Sequence, residues 1–247
     1  MENMLNAIRQ EDIQNIFECL SQAVCEDRQE ASSHLGLRTH VSDPFLNWDL
    51  IYRNLMNKFD EGNLKYSVTK RGMWTVLLLY DENSKLILSF MRDTRFKDIK
   101  NRKNSTRPQY VQALINLNAE FQAPTKQLRM FADESKFTQT DLERTLGELC
   151  ANFEGSVDTK NSKHALVVFS NKYGAIDSLN AYLLDRDLDI VCEQDWLNVT
   201  KPVLSAIPET VSVTEIDVVP TLKPKALGRI REKELVAIKE QEAKKKA

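Results

Sequence analysis

The residues of this 247-residue chain that could do chemistry are few and scattered. Its only imidazoles are His34, His40 and His164. A Cys25 nucleophile would have to draw its base from His34 or His40, and two histidines in a polar stretch read as loop residues. Cys19, Cys25, His34 and His40 are all zinc-ligand types. The cysteines, however, are separated by five residues and fall on different faces of a helix, whereas closed sites begin with a pair two to four apart. Asp185, Asp187 and Asp189 begin like a calcium loop, but Ile190 and Trp196 stand where glycine and glutamate are required. The seven glycines (36, 62, 72, 147, 155, 174 and 228) are too far apart for Gly-x-Gly-x-x-Gly or Gly-x4-Gly-Lys-Ser/Thr. Standard dinucleotide and P-loop sites are thereby excluded, and no cofactor, metal or complete catalytic constellation is expected.

Charge is more informative. The chain is 42% hydrophobic and 28% charged, with a net charge of -2, an ordinary globular balance. Between Arg92 and Arg107 stand seven positive residues (Arg92, Arg95, Lys97, Lys100, Arg102, Lys103 and Arg107) against Asp93 and Asp98. Between Lys223 and Ala247 there are nine positives against four negatives, which leaves a net of -12 on everything else. An acidic protein with two basic islands attracts phosphates over about a Debye length, ~8 Å at physiological salt. Phe96 and Tyr110 lie at the edges of the first island, and rings beside cations are what base stacking uses.

These residues must be positioned by the elements between them. Ile13, Ile16, Phe17, Leu20 and Val24 predict an amphipathic helix over 12–25, followed by a polar loop from Glu26 to Asp43. A second helix carries Trp48, Ile51, Tyr52, Leu55 and Phe59 and ends near Gly62. Strands are expected at Lys65–Lys70, Met73–Tyr80 and Lys85–Met91, the last two joined as a hairpin by Asp81-Glu82-Asn83-Ser84. Helices are expected over Gln109–Phe121 and from a Thr140-x-x-Glu143 capping box. Ala165–Phe169, Ala175–Leu184 and Leu188–Cys192 read as strand, helix and strand, a parallel βαβ unit. A helix from Trp196 is interrupted by Pro202, and Val211–Val219 suits an edge strand between prolines. Trp48, Trp74 and Trp196 each sit on an apolar face and are expected in the core.

From Trp48 onward the order helix, three strands, helix, later strand resembles the core of restriction-endonuclease-like nucleases. The resemblance is in element order alone. It implies a carboxylate on the second strand and an acid-x-Lys on the third to hold Mg²⁺. The third strand reads Leu88-Ser89-Phe90-Met91, with no such triplet, and Asp98-Ile99-Lys100, which has the pattern, lies beyond it. A nuclease would therefore rest on Asp81, Asp93, Asp98 and Lys100. A third reading is a nucleotide- or small-molecule-modifying enzyme. Its site would be lined by Ser170, Asn171, Lys172 and Glu193 at the carboxyl ends of two strands.

The fold class is α/β, a mixed sheet with an antiparallel hairpin and a parallel βαβ unit and helices on both faces. Residues 1–222 form one domain, helical over 1–62 and sheet-containing over 63–222, and 223–247 form a charged helical tail. With no signal-like N-terminus, no apolar run longer than a few residues and four dispersed cysteines, a cytoplasmic protein with reduced thiols and no membrane span is expected. The favoured function is a non-enzymatic binding or regulatory module. Its partner, nucleic acid or an acidic protein surface, meets Arg92, Arg95, Phe96, Lys97, Lys100, Arg102, Lys103, Arg107 and the basic tail.

Overall fold

A computed structural model describes residues 4–36, 41–72, 74–101, 109–121, 138–153, 157–158 and 161–200. Six strands form one sheet in chain order: β1 (Leu64–Arg71), β2 (Trp74–Asp81), β3 (Leu86–Arg92), β4 (Lys163–Lys172), β5 (Ala175–Leu184) and β6 (Ile190–Asp195). Every neighbouring pair is antiparallel except β3 and β4, which run parallel from Leu86 beside Lys163 to Arg92 beside Phe169. The α/β class with a mixed sheet is as expected.

A parallel pair needs a crossover that covers a face of the sheet. Here residues 93–162 supply it, with helices α4 (Asp93–Asn101), α5 (Tyr110–Ile115) and α6 (Gln139–Cys150). They bury Phe96, Ile99, Val111, Leu114, Leu146 and Leu149 against Val76, Leu78, Tyr80, Ile87, Leu166 and Val168. The opposite face carries Leu77, Leu79, Leu88, Phe90, Val167, Phe169, Leu179 and Leu183. It is covered by α1 (Gln10–Gln22) and α3 (Asp43–Phe59), and by Trp196 at the start of α7 (Trp196–Thr200). Leu77, Leu78 and Leu79 are all buried, because β2 has a hydrophobic layer on each side.

The sequence reading fails at three places. Ala175–Leu184 is strand β5, not a helix, so the expected βαβ unit does not exist there and β4–β5 is a hairpin. Ile176, Leu179 and Leu183 fit helical spacing, but Leu179, Ala181 and Leu183 also alternate inward. The turn decides between them: Tyr173 and Gly174 both take left-handed φ, 52° and 83°, as in the tight turn that matches strand twist. Secondly, the expected loop from Glu26 is helical as far as His34. A π-helical turn over Ala23–Asp27 runs into α2 (Arg28–His34), pinned where the Asp27 carboxylate accepts hydrogen bonds from Asn54 at 2.6 Å and Arg53 at 2.8 Å. Thirdly, Trp74 is 51% exposed, while Trp196 is fully buried. The helix expected from a cap at Thr140 begins at Gln139, with Thr138 as its cap. The expected edge strand over Val211–Val219 and the charged tail lie outside the described residues.

Two buried polar groups hold the parallel pair and its crossover together. Asn118 donates to the carbonyls of His164 (2.8 Å) and Leu184 (3.0 Å) and accepts from the His164 amide (2.9 Å). His164 Nε2 meets Ser89 Oγ at 2.8 Å across β3 and β4. Asn118→Ala would strand three backbone groups in the core. It should lower the unfolding free energy by about 2–4 kcal/mol in a urea titration; a loss within error would show that the clamp is dispensable. Burial pushes the His164 imidazole down from 6.5 to about 3. The folded protein thus keeps it neutral, while the unfolded chain takes up a proton once the pH falls below 6.5. Its contribution is complete above that pH and is lost on acidification, by up to about 1.4 kcal/mol per pH unit. Between pH 7 and 5, wild type should lose about 1–2 kcal/mol more stability than His164→Gln; parallel curves would refute this.

Candidate functional site

Within the described part of the basic segment, the cations do not share one face. Arg92 ends β3 and α4 begins at the next residue, so helical geometry distributes the cations that follow. Phe96 points into the core and stacks on Tyr182 with ring centroids 5.7 Å apart. Lys97 is paired with Asp93 at 2.6 Å, and Lys100 with Asp189 at 3.1 Å. Arg102, Lys103 and Arg107 lie outside the described residues. Of the named positions that are described, only Arg92 and Arg95 share a cavity.

That cavity encloses about 530 Å³ at the carboxyl end of β3. Four pieces of chain build it. The first three turns of α3, opened by Pro44 near its N-terminus, present Phe45, Trp48, Asp49 and Tyr52. The β1–β2 turn, in which Gly72 takes φ of 62°, sets Arg71 opposite Trp74. The end of β3 and the first turn of α4 add Arg92, Thr94 and Arg95. Gln109 and Tyr110, at the start of α5, complete the described lining. Gln109 is held by a capping box with Gln112 and accepts a 3.4 Å hydrogen bond from Arg95.

The wall is aromatic. Phe45 and Trp74 lie nearly parallel, 13° apart with centroids at 4.9 Å, and both are exposed at the rim. Deeper in, Trp48 packs against Tyr52 and edge-on against Phe169 of β4. The two tyrosine hydroxyls are committed to backbone, Tyr52 to the Thr75 carbonyl and Tyr110 to the Phe90 carbonyl. Burial pushes Tyr52 up to about 12 and raises Tyr110 as well, so both are neutral donors at physiological pH.

Arg92 and Arg71, by contrast, keep uncommitted donors. Nε and Nη2 of Arg92 and Nη1 of Arg71 are shielded from solvent and have no hydrogen-bond partner. Burial lowers the Arg92 pKa, and the nearby Arg28 lowers it further. Arg28 itself is bound to Asp43 at 2.6 Å. An unpaired buried donor costs about 1–3 kcal/mol, more when charged. The site thus combines an aromatic wall with arginines that lack anions, and Asp49 is the single carboxylate among the described residues that line it.

The alternative sites do not assemble. Asp81 is at the far end of β2, where its carboxylate caps the hairpin turn by accepting from the Asn83 amide and the Ser84 hydroxyl. Asp93, Asp98 and Lys100 are on α4, after the opposite end of β3, and β3 itself carries no carboxylate. Glu193 lies level with Tyr182 and Leu166, four positions along β4 from Ser170. Ser170 and Lys172 are instead bound to Asp177 beside the hairpin turn. Among the described residues no three His, Cys, Asp or Glu side chains are grouped to hold a metal ion. Cys19 is buried with its thiol pushed up to about 11, and Cys25 is exposed on another face; His34 pairs with Glu30, while His40 lies outside the described residues.

Sequence reasoning missed Phe45, Trp48, Tyr52, Arg71, Trp74 and Gln109 as site residues. The signal for Trp74 was its place next to the turn at Gly72, where a strand end is open to solvent. Trp48 and Tyr52 carried none, because a lining face and a core face share the same helical period. Among the described residues no helix is long and apolar enough to cross a membrane. No curated protein and no solved structure matches the chain. A family profile matches residues 5–238, which include the whole cavity, and the chain therefore belongs to DUF5986, a family of unknown function.

Proposed function

We propose that the protein is a non-enzymatic binding module that holds nucleic acid in the cleft at the carboxyl end of β3. The observation that carries this reading is the Arg92 guanidinium, shielded and without a partner beside a wall of Phe45, Trp48, Tyr52 and Trp74. Planar guanidinium groups match phosphate oxygens two at a time, and aromatic faces accept any base. An acidic protein would satisfy the arginines but would give the exposed Phe45–Trp74 platform nothing to do. The cleft also lies outside the carboxyl ends of the parallel strands, where open α/β sheets place ligands. The nuclease reading lacks a carboxylate set at this end, and the modifying-enzyme reading lacks a common site.

The test is fluorescence anisotropy of the full chain with short single-stranded oligonucleotides across a salt series. Affinity should fall linearly on a log–log plot with a slope of about -1 to -2, as two or three phosphates release counterions. Trp74→Ala should weaken binding by about tenfold, the value of one stacked base, while leaving the melting temperature within a few degrees because its ring is half exposed. Oligonucleotides should stay intact with Mg²⁺. Salt-insensitive binding, or a Trp74→Ala protein that binds like wild type, would overturn the proposal.

A further inference from the structure

We infer that the ligand group seated on Arg92 is a terminal phosphate, a phosphomonoester joined to a nucleoside, with its base on the aromatic wall. The inference rests on the reading of the cleft as a nucleic-acid site and goes further by naming the part of the strand that it takes.

Three observations lead there. The first is charge balance. Among the described residues that line the cleft, Arg71, Arg92 and Arg95 stand against Asp49, an excess of two positive charges. A phosphodiester inside a strand carries one negative charge and would leave the site half neutralised. A phosphomonoester carries about -1.5 to -2 near neutral pH and has three acceptor oxygens. The second is depth. Nε and Nη2 of Arg92 are not open to solvent, and Gln109 and Tyr110 at the start of α5 line the same cleft. An internal phosphate needs the chain to enter and leave again, whereas an end needs a single way in. The third is the helix that starts at this spot. Helix α4 begins at Asp93, immediately after Arg92, and Thr94 and Arg95 of its first turn line the cavity. First-turn amides lack intrahelical acceptors and favour an anion placed before them.

Arg92 and the first turn of α4 form the floor, and Phe45 and Trp74 at the rim take the first base or the next. The same chemistry would admit a free mononucleotide, and the experiment separates the two sources.

The full chain is titrated with single-stranded 10-mers that differ only at the end: 5′-phosphate, 3′-phosphate or hydroxyl at both ends. Adenosine monophosphate and adenosine serve as competitors. A phosphorylated strand should bind at least about tenfold more tightly than its hydroxyl twin, the worth of one charge-assisted contact set. Arg92→Ala should bring that ratio to about one, and Arg92→Lys, which keeps the charge without the planar fork, should give an intermediate ratio. Circular dichroism checks that both variants fold. Competition by the monophosphate as strong as that by the phosphorylated strand would assign the site to free nucleotides; weak competition would assign it to strand ends. Equal, salt-sensitive binding of all three strands would overturn the terminal-phosphate inference and leave the nucleic-acid reading standing. No binding by any strand or by the monophosphate would overturn both.

Discussion

Strands β3 and β4 lie side by side and point the same way, and most of this architecture follows from that pairing. Antiparallel neighbours can be joined by a few residues, as β2 and β3 or β4 and β5 are here. A parallel pair requires the chain to return over one face of the sheet. The return path, residues 93–162, lays three helices on that face, so the outward side chains of β2, β3 and β4 must also be apolar. The other face is covered by α1, α3 and α7, which makes the central strands hydrophobic on both sides. Asn118 ties the crossover to β4 and β5, and Ser89–His164 ties β3 to β4, both from inside the core. The return path also has to begin somewhere. It begins at the end of β3, and the cleft is built there from the residues between strand and helix.

At the cleft the usual economy of buried polar groups is reversed. Elsewhere buried charged groups are matched: Asp27 by Arg53 and Asn54, and Asp185 by the amides of Asp187 and Asp189. Arg71 and Arg92 hold shielded donors with no acceptor, at a cost that neutral orphans such as Tyr80 or Ser162 incur in smaller measure. Replacing Arg92 by an apolar residue of similar size would remove that cost. A group bringing its own negative charge into the cleft would remove the same cost by accepting from these donors. The neutral tyrosines agree with this: with both hydroxyls spent on backbone, they add surface and no competing anion.

Much of the fold was legible because hydrophobic period and turn chemistry agreed. The three-strand meander, α3 and the capped α6 appear close to where the pattern puts them. Where the two signals disagreed, the turn was the better guide. Ile176, Leu179 and Leu183 satisfy a helix as well as a strand, and Tyr173-Gly174 makes the choice by a left-handed pair that no Asn-Gly dipeptide advertises. The polar stretch after Glu26 is helical for a reason outside the stretch: Asp27 is claimed by Arg53 and Asn54 of α3. Such long-range demands leave no local trace.

The site was half legible, and the missing half is instructive about what a run of charge means. Seven cations in sixteen residues look like one surface in a sequence. On a helix, positions two or five apart point in different directions, so Lys97 and Lys100 find carboxylates on the outside while Arg95 turns toward the cleft. The charge that matters is then decided by what has no counter-ion, and only packing determines that. Arg71 belongs with Arg92 although 21 positions separate them, because β1, β2 and β3 bring a turn at one end of the sheet beside a strand end. The aromatic residues join them because α3 crosses the same end. The linear basic motif reaches the candidate cleft only at Arg92 and Arg95, among the described residues, and the aromatic wall comes from residues that had looked like core.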